Sequence, residues 1–225
     1  MTGTLYIIAT PIGNLADLTY RAVETIRGLD VLFCEDTRQT TRLLARYDLT
    51  VSLDSYREAA HERKAARVIE LLAAGRQVGY VSDAGTPGVS DPGSRLVAAV
   101  VARLPEAKIV PIPGPSAAAA LISVCGFGGN EFVFMGFPPH KKGRQAFINE
   151  AINSPRTAIL YESPYRIEKL LSYLAEAAPD RQLCVGREMT KVFETFYRGT
   201  AAAVMDQLKA GSAKGEFAIA IEGKR

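Results

Sequence analysis

Cysteine, histidine and long apolar runs are all scarce in this chain, and each shortage closes off a class of function. Cys34, Cys125 and Cys184 are the only cysteines among 225 residues. They lie far apart, are odd in number and form no C-x-x-C pair, which argues against a disulfide framework or a zinc knuckle and for reduced intracellular thiols. His61 and His140 are the only histidines. They lack H-x-x-x-H spacing and a neighbouring Ser or Cys, so neither a metal site nor a nucleophilic triad is expected. No apolar run approaches the ~20 residues that span a bilayer. The start, MTGTLYIIATPIGN, lacks the basic-then-apolar build of a secretory signal. A soluble, cytoplasmic protein is the expectation.

Several familiar loops are missing too. No G-x-G-x-x-G follows the first predicted strand, and no G-x-x-x-x-G-K-[ST] or G-x-S-x-G occurs, which disfavours ordinary dinucleotide, P-loop and α/β-hydrolase sites. Neither sign of charge dominates. A net charge of +3 and a pI near 8.7 permit an anionic partner but fall short of the charge typical of nucleic-acid-binding domains.

What is present is ordinary globular material, 48% hydrophobic and 23% charged. Short apolar runs at 5–9, 31–34, 77–81 and 108–110 read as strands. They alternate with helical patterns at 18–28 (with Asp17 as N-cap), 37–47, 59–74, 93–102 and 115–124. Continuous apolar strands alternating with helices predict a mostly parallel sheet covered on both faces. The glycine-rich stretch 125–129 reads as a linker between an N-terminal α/β domain (1–124) and a C-terminal α+β domain (130–225). In the latter, strands are predicted at 132–135, 157–161, 182–187, 194–198 and 216–221, with helices at 143–152, 164–177 and 200–209. The absence of a helix between 182 and 198 predicts an antiparallel pair and a mixed sheet.

Three loops are richer in Gly, Pro, Ser and Thr than a plain connection requires: 9–14, 82–93 and 111–117. Each follows a predicted strand of the parallel sheet, so all three are expected at its carboxyl edge, where open α/β sheets bind ligands. Glycine admits close approach of backbone to ligand, and proline limits the entropy lost on binding. Asp83 and Asp91 could accept ribose hydroxyls, or Asp91 and Ser116 could simply be N-caps.

The stretches ATPIGNL (9–15), CEDTRQT (34–40), VSDAGTPGVSDPG (81–93), PIPGPSAA (111–118), GFPP (136–139), YESPYR (161–166) and GREMTKVFE (186–194) span nearly the whole chain. On them the sequence resembles the tetrapyrrole methylase superfamily, in its branch that modifies small-subunit ribosomal RNA. Relatives acting on corrin precursors or diphthine generally carry a G-x-G-P-G-D-type first loop, whereas here it is Thr10-Pro11-Ile12-Gly13-Asn14. The resemblance implies two α/β domains, S-adenosylmethionine in a cleft between them, a homodimer, and methylation of the ribose 2′-hydroxyl of cytidine 1402 in 16S rRNA on the 30S subunit. By position it implies that Pro11, Ser82, Asp83, Ala84, Gly85, Val89, Ser90, Pro113, Gly114, Ser116, Ala117, Tyr161 and Glu162 line the cofactor. Residues 187–191 close over it or face the RNA. Members of the branch commonly continue into a small helical extension thought to help bind RNA. This sequence runs only to Arg225, which puts RNA affinity, rather than cofactor binding, in question.

A ribose hydroxyl is a weak nucleophile, so a base is expected. Asp36 ranks first, ahead of Glu188; Glu35, Glu194 and a Lys191 of depressed pKa are further options, and Asp36 could instead be a helix N-cap. For phosphates, Arg38, Arg42 and Arg46 share one helix face, and Lys141, Lys142 and Arg144 form a segment expected to be exposed. No metal is expected. Two rivals remain: a small-molecule methylase of the same fold, and a non-catalytic ribosome-binding protein.

Overall fold

The computed structural model describes residues 2–128 and 130–224. Gly129, in the predicted linker, and the chain limits Met1 and Arg225 lie outside them. The chain divides into two compact units, one ending at Ser116 and the other beginning at Ala117.

In the first unit, β1 (Thr4–Ile8), β2 (Val31–Cys34), β3 (Ser52–Ser55), β4 (Gln77–Val81) and β5 (Lys108–Ile112) form a parallel sheet in the order β3-β2-β4-β1-β5. Successive side chains on a strand point to opposite faces, so neighbours serve different layers. Leu32 packs with Ile26, Leu43 and Leu44 from α1 (Tyr20–Arg27) and α2 (Thr37–Arg46). Phe33 packs with Val68, Leu72, Leu96 and Val100 from α3 (His61–Ala73) and α4 (Gly93–Arg103). Both faces are therefore apolar, which is why these strands read as unbroken hydrophobic runs.

Three local differences from the sequence reading have simple causes. Asp17 ends a short 3₁₀ turn, and Thr19 caps α1 instead, its Oγ1 accepting from the Ala22 N–H at 3.1 Å. Strand β3 was not predicted. Its sequence, SLDS, is polar because it borders the sheet and pairs on one side only. β5 runs through Pro111 because the opposite border of the sheet needs no N–H there.

The second unit contains α5 (Ala117–Cys125), β6 (Phe132–Gly136), α6 (Arg144–Asn153), β7 (Thr157–Glu162), α7 (Ile167–Ala177), β8 (Gln182–Arg187), β9 (Thr195–Thr200), α8 (Ala201–Ala210) and β10 (Phe217–Ile221). Its sheet is ordered β6-β7-β10-β8-β9, with β6/β7 parallel and the other pairs antiparallel. One face carries α6, α7 and α8 through Ile148, Leu170, Leu174, Val204 and Leu208. On the other, Ala118, Leu121 and Cys125 of α5 meet Ile159, Cys184, Ala218 and Ala220. Small residues on both sides let α5 lie close to the strands. This packing puts α5 in the second unit and the division before it, whereas the sequence reading set the boundary at 125–129.

Candidate functional site

Because β4, β1 and β5 are adjacent and parallel, their carboxyl ends deliver the three Gly/Pro loops to one edge of the first sheet. Hydrogen bonds then stitch the loops together. Thr10 and Gly85 exchange backbone bonds at 3.0 and 3.1 Å, and Thr10 Oγ1 donates to the Ser82 carbonyl at 3.2 Å. Thr86 Oγ1 donates to the Pro115 carbonyl at 3.0 Å, and the Ala9 N–H reaches the Ile112 carbonyl at 3.1 Å.

Two glycines are required here. Gly85 has φ +82°, and a Cβ on it would meet Ile12 Cγ2 at 3.3 Å; a Cβ on Gly114 would stand 3.0 Å from that of Ala9. Among the resemblance-derived residues, Pro11 and Ser82 are buried, while Asp83, Ala84, Val89, Ser90, Pro113 and Gly114 are exposed along the loops. Ser116 ends the first unit. Ala117, Tyr161 and Glu162 belong to the second. Asp91 is not a free ribose acceptor, since its carboxylate holds the Gly88 N–H at 2.8 Å and the Gly93 N–H at 2.7 Å.

The end of β2 joins this edge through two reciprocal contacts. Asp83 Oδ1 accepts from the Asp36 N–H at 2.9 Å, and Glu35 Oε1 accepts from the Asp83 N–H at 3.2 Å. The two carboxylates that follow β2 nevertheless differ chemically. Asp36 is the N-cap of α2, accepting from the Arg38 N–H at 2.8 Å and from its guanidinium at 2.7 and 3.1 Å. Those bonds hold it far below the usual carboxylate range, which makes it a poor base and corrects its first rank. Burial pushes Glu35 up; the Asp83 N–H opposes this, and the charges of Asp83, Asp91 and Glu58 add to the rise. Glu35 opens on a cavity of about 520 Å³ whose lining includes Arg57, Glu58, Ser90 and Asp91. Arg57 has no ion-pair partner among the described residues. Sequence reasoning missed Arg57, which follows an unpredicted strand, and nothing in the sequence separated Glu35 from Asp36.

In the second unit the same kind of convergence occurs. β6 and β7 end, β8 turns into β9 and β10 begins on one edge, as the pairings Glu162 with Phe217, Phe217 with Arg187 and Arg187 with Thr195 require. The motif residues there do structural work. Glu162 is wholly buried and binds Arg144 Nη2 at 2.6 Å and Arg166 Nε at 2.8 Å. Arg144 is therefore buried, not exposed, and its charge is committed to Glu162; Glu162 itself presents no free oxygen to a cofactor. Tyr161 sits between Phe134 and Phe137, with ring centroids at 4.9 and 5.4 Å, and burial pushes its phenol up despite the Ala118 backbone bond.

Lys191 bridges Glu188 at 2.9 Å and Glu216 at 2.8 Å. Burial alone would lower its pKa, but the two carboxylates outweigh it and the pKa is raised. Lys191 is thus cationic at neutral pH, contrary to the expectation for a base. Burial pushes Glu188 upward, yet Lys191, the Glu216 N–H and Arg187 outweigh it and leave its carboxyl lowered. Of the predicted phosphate ligands, Arg38 is paired with Asp36, whereas Arg42, Lys141 and Lys142 are exposed.

A chain with backbone-lined loops gathered on the edge of a parallel sheet in one unit, and a mixed sheet in the other, falls in the α/β class. Known proteins narrow it. The sequence pattern of the family described as Tetrapyrrole (Corrin/Porphyrin) Methylases matches residues 4–204. The chain is 40% identical over 222 residues to "Ribosomal RNA small subunit methyltransferase I" of Halalkalibacterium halodurans, covering 98% of this chain and 76% of that protein. It is also 40% identical to the protein so named in Synechocystis, covering 98% and 79%. Among solved structures it is similar to a diphthine synthase (TM-score 0.72, 14% identity, 98% and 90% covered). A uroporphyrin-III-C-methyltransferase from Thermus thermophilus gives a TM-score of 0.65 at 18% identity, with 98% and 94% covered. At those identities the structures speak to fold alone. The chain belongs to the tetrapyrrole methylase family of methyltransferases.

Proposed function

We propose that the chain is a cytoplasmic, homodimeric S-adenosylmethionine-dependent methyltransferase acting on the ribose 2′-hydroxyl of a cytidine in small-subunit rRNA. The stitched convergence of the 9–14, 82–93 and 111–116 loops on one sheet edge carries this reading, with the relatives' names as independent support. The loops suit the donor. Gly85 and Gly114 let the loops close on one another where a Cβ would press on Ile12 and Ala9, and the exposed Asp83, Ala84, Pro113 and Gly114 offer backbone groups and one carboxylate to a polar nucleoside.

When bound, S-adenosylmethionine supplies an activated methyl group. The chain's own contribution is alignment and proton management. Asp83 ties the donor loop to β2, and Asp36 fixes α2. Glu35 Oε2, free of hydrogen bonds among the described residues, takes the acceptor hydroxyl's proton, for which its raised pKa suits it. Arg57, Arg42, Lys141 and Lys142 are cations available to phosphates. Titration calorimetry with S-adenosylmethionine, followed by transfer to 30S subunits lacking the modification, tests the proposal. Binding and transfer are expected; binding without transfer to any rRNA would remove the substrate assignment.

A further inference from the structure

The edge of the second sheet carries two exposed aromatic side chains to which the proposed function assigns no role. Tyr165 is 96% exposed and Phe137 53% exposed, on two loops that the structure holds firmly. The loop after β7 is fixed by Arg166 N and Ile167 N, both donating to the Ser163 carbonyl at 3.1 Å, and by Glu162 Oε1, which accepts the Ser163 N–H at 2.8 Å. Arg166 Nη1 then reaches the Pro138 carbonyl and Arg144 Nη1 the Pro139 carbonyl, each at 3.4 Å, which ties the loop after β6 to the same brace. Phe137 leans on Tyr161 at 5.4 Å. Next to it along the chain, His140, Lys141 and Lys142 are exposed, and neither lysine has an ion-pair partner among the described residues.

Two aromatic faces on a pre-ordered frame, with unpaired cations beside them, match what an unpaired nucleic-acid strand offers. Its bases have free π faces and its phosphates are anionic, whereas a duplex hides its bases in the stack. The carboxylate of the brace, Glu162, is buried and outnumbered by two arginines, so it does not repel a phosphate from the surface. We infer that this platform binds single-stranded RNA, with bases stacked on Tyr165 and Phe137 and phosphates held by Lys141 and Lys142. The inference rests on the proposed action on rRNA, and it assigns Arg144, Arg166 and Glu162 to the frame rather than to the ligand.

The test uses the full chain and a fluorescent single-stranded RNA oligonucleotide, with the same sequence in a duplex as comparison, over a range of salt. Tyr165→Ala is expected to weaken single-strand binding roughly tenfold with an unchanged salt slope, and Tyr165→Phe to retain it. Lys141→Ala and Lys142→Ala should each reduce the slope by about 0.7. Near-complete exposure of Tyr165 makes misfolding an unsuitable explanation for its variant, and an unchanged circular dichroism melt checks that. The inference is overturned if the parent chain prefers the duplex or binds neither RNA, or if Tyr165→Ala binds like the parent. It is also overturned if that variant changes only the sedimentation of the chain, which would make the surface a protein contact. Calorimetry with S-adenosylmethionine on the same samples keeps the two readings apart: loss of donor binding in the parent strikes the functional proposal, whereas intact donor binding with an indifferent Tyr165 strikes only the platform.

Discussion

The two sheets gather loops at one edge by different means. In the first unit every joint has a main-chain group on at least one side, met by main chain, by the hydroxyls of Thr10 and Thr86, or by the carboxylates of Glu35 and Asp83. In the second they are side chains, above all a buried carboxylate between two guanidinium groups. A backbone-built edge leaves main chain open to a ligand and fails when a Cβ intrudes. An ion-braced edge offers its outer side chains to a ligand and fails when a charge is removed.

The sharpest break of that comparison is Glu162→Ala, which strands two mostly buried arginines. It is expected to cost about 3–5 kcal/mol in denaturant unfolding. A loss under about 1 kcal/mol, the usual worth of a surface pair, would deny the brace its role. Gly85→Val comes next. A β-branched residue at φ +82° is strained by roughly 1–2 kcal/mol, and donor binding by calorimetry should vanish while the circular dichroism spectrum stays native. Tight donor binding by this variant would show that the first edge is not backbone-limited.

Glu35→Gln has a smaller, pH-dependent effect with a definite sign. A carboxyl raised in the folded state contributes stability that is full below its ordinary value of 4.5 and is lost as pH rises through the folded value. Thermal melts should therefore coincide below that pH, with the variant melting higher at pH 8, while methyl transfer falls there. Equal melts at both pH values would remove the burial argument for Glu35. Asp36→Asn sits at the bottom of the scale, because an asparagine still caps α2 and Arg38 is exposed. Its transfer rate should stay near the parent's; a large loss would restore Asp36 as the base.

Much of this was legible in the residues. The alternation of apolar runs with helical patterns gave the parallel sheet, and the position of the Gly/Pro loops after three of its strands placed them on one edge. What escaped had a physical reason in each case. β3 is polar because it is a border strand, and α5 is so rich in alanine that its sequence does not say which core it joins. Charge was the least readable property. Arg144 in a run of exposed lysines and Glu162 at a strand end find each other only through the parallel pairing of β6 with β7, and Asp36 differs from Glu35 through the bonds of Arg38 and the burial of Glu35.

The central claim is that a methyl donor lies against the backbone of the first sheet's loops. Amide chemical-shift mapping of the isotope-labelled chain during titration with S-adenosylmethionine tests it most directly. The largest changes are predicted at the amides of Thr10, Ala84, Gly85 and Gly114. Saturable binding whose shifts avoid all four would contradict the account.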